Sequence, residues 1–332
     1  HPDVEVVTAG GDGAVQRIGY AALAQRCRKA SAALVALGLG AGDCIATLAW
    51  NTQAHVEAWF ASMGMGAFCH TLNPRLSDAH LVDMLLQSRA RALLVSADLA
   101  PLARRIAARV ATLEHVLSID GDALEGGGTQ VVAPFETLVE QAQGQVRWGG
   151  FDEQAPCGLC FTSGTTGAPK GVTYTHRGVF LHTLRALQAD TMALSTRDSV
   201  LLAVPMFHAN GWGVPFATPA VGARLVLPGR HLDGASLAAL INAESVTVAL
   251  GVATVWLALL EHLEATGGQV PTLQRVIVGG APMAPALMER IEQRLGVSVQ
   301  TSWGMTELSP TGTVAPPGDR QRAAHLSGRP SI

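Results

Sequence analysis

From Ser199 onward the chain repeats one pattern that leaves few folds open. Short, largely apolar runs at 199–204, 223–227, 246–250, 274–278 and 297–301 alternate with segments of helical periodicity at 235–243, 253–266 and 285–295. Apolar runs of this length are strands buried on both faces, and helices between such strands cover a parallel sheet. The first half shows the same alternation less regularly. Strands are predicted at 4–8 and 14–18 about a 10–13 glycine turn, then a helix at 20–37, a strand at 44–50, a helix at 52–65, a strand near 67–72, a Ser77-capped helix to Gln87 and a strand at 92–96. A helix near 99–110, a strand at 115–119, a glycine-rich surface insert at 121–128 and a connector at 134–150 with a short helix at 135–142 complete that half. The fold class expected is α/β, with a first subdomain at 1–150 and a second at 151–332.

One stretch carries the chemistry. TSGTTGAPKG (162–171) follows a short apolar run and sets glycines 164, 167 and 171 among Thr162, Ser163, Thr165, Thr166 and Lys170. Glycine lets the backbone approach a ligand and turn its N–H groups inward, while the hydroxyls and the ammonium supply donors and charge: a phosphate cradle. It is not a Walker A loop, because Pro169 precedes the lysine and no Ser or Thr follows it, and its glycine spacing is not the dinucleotide fingerprint. A plain surface turn needs neither the lysine nor the strand leading in. Only Lys29 and Lys170 are lysines, so Lys170 reads as a compact point charge kept for a purpose.

The phosphate belongs on a small molecule. Net charge is −3 with no basic block, which argues against nucleic acid. Charged residues make up 15% of the chain, against about 25% in a globular average, so much surface is buried or an apolar cavity is kept. Five cysteines (27, 44, 69, 157, 160) lack framework or zinc spacing and read as reduced thiols in a cytoplasmic setting; Cys157 and Cys160 form a CxxC inside the apolar run and read as buried strand residues. The longest uncharged span, 199–223, is broken by Pro205, Pro215 and Pro219, so a soluble protein is expected. The His1-Pro-Asp start, without an initiator Met, reads as that of an excised segment.

Three further stretches follow strands, where open α/β sheets place their ligands. PMFHANGWG (205–213) presents His208 and Trp212 among glycines; a loop histidine taken alone is more often merely satisfied than functional. GGAP (279–282) allows a flat ring to lie on the backbone, although strand-to-helix turns use the same residues to turn. SWGMTELSP (302–310) offers an aromatic face, a hydroxyl and a carboxylate suited to a hard cation.

Together these four runs resemble the adenylate-forming superfamily of acyl-CoA synthetases, luciferases and nonribosomal-peptide adenylation domains, and within it most nearly the medium- and long-chain fatty-acyl-CoA synthetases. The likeness extends from Pro2-Asp3 to SGRP (327–330). It implies two adjacent, mostly parallel sheets covered by helices, and a two-step reaction in which a carboxylate and ATP give an acyl-adenylate that CoA converts to a thioester. By similarity, Thr162, Ser163, Gly164, Thr165, Thr166, Gly167 and Lys170 hold the β- and γ-phosphates, and Glu307 binds Mg²⁺ with Thr162 as a second contact. Trp303 neighbours adenine, with Gly280, Ala281, Thr301, Ser302 and Gly304 around it, and Thr306 meets the α-phosphate. His208 orients the acyl carboxylate, Ala209 lies beside it, and Trp212 gates the acyl tunnel or packs as a loop aromatic.

The chain ends at Ile332, before the family's ribose-binding Asp and its small C-terminal domain with the catalytic lysine, so the resemblance implies nucleotide affinity with little adenylation by these residues alone. The partners implied are ATP, a fatty acid and CoA, with peripheral membrane contact for acyl supply and homodimer formation as further expectations. Two alternatives stay open: adenylation of an aryl acid or for a carrier-protein thiol, and non-catalytic binding of a nucleotide or acyl group.

Overall fold

The computed structural model describes residues 1–10, 13–121, 132–144, 146–162, 169–318 and 327–330. Gly11 and Asp12 of the first turn, most of the 121–128 insert and residues 163–168 of the glycine loop lie outside them. The elements run β1 (Glu5–Ala9), β2 (Val15–Gly19), α1 (Tyr20–Ala36), β3 (Cys44–Leu48), α2 (Gln53–Gly64), β4 (Phe68–Thr71), α3 (Asp78–Ser88), β5 (Ala92–Val95) and α4 (Ala100–Ala107). Next come β6 (His115–Ser118), β7 (Val132–Pro134), α5 (Phe135–Gln141), β8 (Pro156–Thr162), β9 (Lys170–Thr175), α6 (His176–Ala186), β10 (Ser199–Leu202), α7 (Val214–Val221) and β11 (Arg224–Leu227). The chain closes with α8 (Gly234–Ala243), β12 (Val248–Gly251), α9 (Ala253–Thr266), β13 (Arg275–Val278), α10 (Pro285–Leu295), β14 (Ser298–Gly304), β15 (Thr311–Val314) and β16 (Arg329–Pro330).

Two compact units result. Residues 21–179 form one, around a sheet ordered β7-β6-β5-β3-β4-β8-β9, parallel except for β9. Strand β3 is buried along its whole length and shows why the run is apolar throughout. Cys44, Ala46 and Leu48 enter one core with Leu81 and Leu85 of α3 and Ala103 and Ile106 of α4, while Ile45 enters the opposite core with Leu34 of α1, Ala58 of α2 and Val139 of α5. Thr52 and Ser77 cap α2 and α3 by accepting the His55 and His80 amides. Arg26 of α1 ties the covering helices together through Glu57 of α2 at 2.6 Å and Glu136 of α5 at 2.7 Å.

Residues 1–20 and 180–332 form the other unit. Its sheet is ordered β16-β15-β14-β13-β12-β10-β11-β1-β2, with β1 and β10–β14 parallel and β2, β15 and β16 antiparallel at the ends. Leu237 and Ile241 of α8, Trp256 and Leu259 of α9 and Ile291 of α10 fill one face against Leu201, Ala249, Val276 and Val299.

The α/β class with two mostly parallel sheets is as the sequence reading expected. The boundary is not: β8 pairs with β4 and β9 with β8, so the strands flanking the glycine loop belong with residues 21–179, rather than with a second subdomain beginning at 151. Helix α6 stops at Ala186, where the Thr191 hydroxyl lies within hydrogen-bond reach of the carbonyls of Arg185, Ala186 and Gln188 and closes the helix end.

Candidate functional site

In the unit of residues 1–20 and 180–332, β10, β12, β13 and β14 lie side by side and parallel, so their C-terminal ends open on one sheet edge. Strand β14 changes partners there. It pairs with β13 as far as Thr301 and with β15 from Ser302 onward, and the departure opens a crevice beyond the end of β13. The loops after β10, β13 and β14 close around it.

The 279–280 turn is held by close contact rather than by sequence habit. Ser302 Oγ donates to the Val278 carbonyl at 2.9 Å. A Cβ on Gly279 would lie 2.5 Å from that hydroxyl and 3.0 Å from Trp212 Cη2, so no larger residue fits unless its neighbours move. Gly280 has φ +79°, the left-handed region where glycine is unstrained.

After β10 the backbone makes a left-handed turn: φ is 44° at Ala209, 54° at Asn210, 53° at Gly211, 54° at Trp212 and 76° at Gly213. Three of these are not glycine, and each costs about 1–2 kcal/mol in this conformation. The turn buries the Trp212 indole against Gly279 and Gly280. Gly213 abuts the buried His182 ring of α6, whose Nε2 is hydrogen-bonded to Thr311 Oγ1 at 3.0 Å. Burial lowers the His182 pKa to about 4, so the imidazole is neutral at pH 7. Arg185 of α6 donates to the Thr311 carbonyl as well, anchoring β15.

Two clefts meet at Trp303. One, of about 120 Å³, is lined by His208, Ala209, Trp212, Gly280, Ser302, Trp303, Gly304 and Thr306 together with Met192, Ile277, Thr311 and Val314. The other, of about 780 Å³, is lined by Gly280, Ala281, Pro282, Thr301, Ser302, Trp303 and Gly304, and among the described residues no charged side chain lines it. Trp303 is 51% exposed and thus offers aromatic surface to a ligand. His208 sits at the mouth with its ring reaching solvent; the protein around it still disfavours the imidazolium and lowers its pKa below the ordinary histidine value.

The predicted residues Gly280, Ala281, Thr301, Ser302, Trp303, Gly304, Thr306, His208, Ala209 and Trp212 are therefore brought together around the two clefts. Glu307 lies in a short 3-10 turn next to them, its carboxylate exposed, and lines neither cleft. Thr162 and Lys170 lie in the other unit, directly opposite each other on β8 and β9, at the two ends of the glycine loop. Ser163, Gly164, Thr165, Thr166 and Gly167 lie outside the described residues. Sequence reasoning missed Met192, Ile277, Thr311 and Val314. Thr311 adjoins the SWGMTELSP run, but Met192 carries no motif signal at all.

Residues 1–331 match the family model described as AMP-binding enzyme. The chain belongs to the AMP-binding enzyme family. Among its curated relatives it is similar to a long-chain-fatty-acid–CoA ligase of Thermus thermophilus, 46% identical over 306 residues covering 92% of this chain and 55% of the relative. It is 39% identical to a medium-chain-fatty-acid–CoA ligase of Ectopseudomonas oleovorans over 96% of this chain and 58% of that protein. It is 37% identical to a 3-methylmercaptopropionyl-CoA ligase of Ruegeria lacuscaerulensis over 97% of this chain and 60% of that one. The chain thus spans little more than half the length of the curated AMP-binding relatives it matches. An inhibitor-bound crystal structure of the N-terminal domain of FACL13 from Mycobacterium tuberculosis superposes with a TM-score of 0.87 at 24% identity, over 100% of this chain and 79% of that one. An anthranilate CoA ligase in complex with anthranoyl-AMP superposes with a TM-score of 0.88 at 22% identity, over 99% of this chain and 61% of that one. At these identities the likeness establishes a shared fold. Among the described residues no helix is long and apolar enough to cross a membrane.

Proposed function

We propose that the protein activates a fatty carboxylic acid with ATP, first to an acyl-adenylate and then to an acyl-CoA thioester. The observation that carries this reading is the convergence of His208, Trp212, the 279–281 turn and the 302–306 run on two clefts that share Trp303. The larger cleft, walled by glycine backbone and an exposed tryptophan, suits a purine and its ribose. The smaller one joins His208 to the apolar side chains of Met192, Trp212, Ile277 and Val314, which suits a carboxylate with an aliphatic tail.

In the first step a carboxylate oxygen attacks the α-phosphorus; the new P–O bond forms as the bond to the bridging oxygen breaks, and pyrophosphate leaves. In the second, the CoA sulfur attacks the acyl carbon and AMP departs. Two anions meet in the first step, so donors must be in place beforehand. His208, kept neutral by its lowered pKa, donates an N–H to the carboxylate and orients it without trapping it as a salt. Thr306 sits on the cleft wall and is expected at the α-phosphate, and by the resemblance Lys170 and the 162–170 loop take the β- and γ-phosphates. Glu307 suits Mg²⁺. Its carboxylate is exposed, in keeping with a cation shared with phosphates. When bound, the ion neutralises phosphate charge.

The test is a panel of acids of two to eighteen carbons supplied to the full-length protein with ATP and CoA, reading pyrophosphate exchange and CoA-dependent AMP release. Turnover of aliphatic acids in both assays is expected. Failure with every aliphatic acid would overturn the substrate class.

A further inference from the structure

Trp303 does not stand free in the crevice; the Cε3–Cζ3 side of its indole rests on Gly312 of β15. A Cβ added to Gly312 would lie 2.6 Å from both Trp303 Cε3 and Cζ3 and 3.1 Å from Leu308 Cδ1. The backbone of Gly312 is not in the left-handed region, so alanine would be acceptable there on conformational grounds. The ring contact is therefore the steric reason for glycine at this position.

The register explains how glycine reaches the ring. Ser302 pairs with Val314 and Trp303 with Thr313, but Gly304 pairs with Thr311, so Gly312 is the extra residue of a bulge in β15. Bulges redirect neighbouring side chains and recur beside active sites. Next to it Gly304 also has no room, since a Cβ there would come 2.2 Å from the Pro310 carbonyl oxygen. The two glycines let β14 and β15 approach closely, with the indole laid across the bulge.

We propose that Gly312 is a positioning residue for the nucleotide. By leaving the bulged backbone bare it fixes the position of Trp303, so that the exposed part of the indole is presented to the base. The inference rests on the nucleotide reading of the larger cleft and adds a residue that touches no ligand itself. A methyl at 312 pushes the ring away from β15 and into the crevice, because the half-exposed indole moves more easily than the paired strand. The fold loses little, and the ligand loses its stacking face. Base stacking on an aromatic side chain contributes about 1–3 kcal/mol, which corresponds to a loss of about five- to 150-fold in affinity.

The experiment titrates AMP into this chain by calorimetry for the native protein, Gly312→Ala, Trp303→Ala and the double variant, with a thermal melt of each. AMP binding about tenfold weaker in Gly312→Ala is expected, with a melting midpoint near the native one, and no further loss when Gly312→Ala is added to Trp303→Ala. That last result separates positioning from a general structural effect, because the methyl matters only while the indole is present. Equal AMP affinity of native and Gly312→Ala proteins, or the same loss from Gly312→Ala with and without the indole, overturns the inference and leaves the nucleotide reading standing. Absence of AMP binding by the native chain overturns both.

Discussion

Substituting Gly279 by alanine tests the packing that joins the acyl and nucleotide sides of the site. The added methyl would stand 2.5 Å from Ser302 Oγ, 3.0 Å from Trp212 Cη2 and 3.3 Å from Trp212 Cζ2, against about 3.5–4.0 Å for an unstrained carbon contact. Neither neighbour has an easy retreat. Trp212 is 8% exposed and carried on the left-handed turn, and Ser302 is tied to the Val278 carbonyl. Overpacking of this kind costs about 1–3 kcal/mol, and losing the Ser302 hydrogen bond adds about 1 kcal/mol. The stiffer unfolded chain returns about 0.4–1 kcal/mol, leaving a net destabilisation of about 1–3.5 kcal/mol. Urea unfolding followed by circular dichroism measures it as a lower midpoint at constant slope. Gly40 is the control: its Cβ position is open and its φ is not in the left-handed region, so Gly40→Ala leaves the midpoint unchanged or raises it slightly. AMP affinity should fall with Gly279→Ala, since Ser302 lines both clefts. A Gly279→Ala protein as stable as the Gly40→Ala control and with native AMP affinity would refute the packing argument.

Three other outcomes are expected. Lys170→Ala should weaken binding of ATP and pyrophosphate more than that of AMP in parallel titrations; equal losses for ATP and AMP would contradict its placement on the distal phosphates. Burial lowers the pKa of His55 and His182 to about 4 and of His70 to about 3, from an unfolded value of 6.5. Below pH 6.5 the unfolded chain binds protons that the folded chain refuses, so stability is full above pH 6.5 and falls toward pH 4, each histidine contributing up to about 1.4 kcal/mol per pH unit. Urea midpoints at pH 7.5 and pH 5 check this, and equal midpoints would contradict it. All five cysteines are buried, and burial pushes the Cys44 and Cys157 thiols up to about 12, so a thiol reagent at pH 8 should label none in the native state and all five in urea.

What was legible in the sequence follows from burial. Strands β3, β5, β10 and β12 are buried along their whole length, so their apolar runs stand out, and the helices between them carry one apolar stripe each. Strands β9 and β15 escaped notice. KGVTYT and TGTV are polar and glycine-bearing, because β9 is an edge strand with a largely exposed burial pattern and β15 holds the bulge under Trp303. The domain boundary was misplaced for the same reason, since without β9 nothing tied residues 151–179 to the first sheet. Helix α7 was obscured by Pro215 and Pro219, one of which starts the helix while the other lies inside it. Site residues that contribute backbone or charge were visible as motifs. Met192 and Val314 contribute only apolar surface and reach the cleft through tertiary packing, which leaves no local trace. The left-handed turn was hidden because Ala209 and Trp212 are not residues that signal positive φ.

The central claim is that the two clefts sharing Trp303 take the acyl and adenosine parts of a single ligand. The direct measurement is calorimetric titration of the native chain and of His208→Ala with AMP and with a non-hydrolysable decanoyl-adenylate analogue. Native protein should bind the analogue at least about tenfold more tightly than AMP, and His208→Ala should lose most of that difference while its affinity for AMP stays near native. An analogue bound no more tightly than AMP by the native chain would contradict the account.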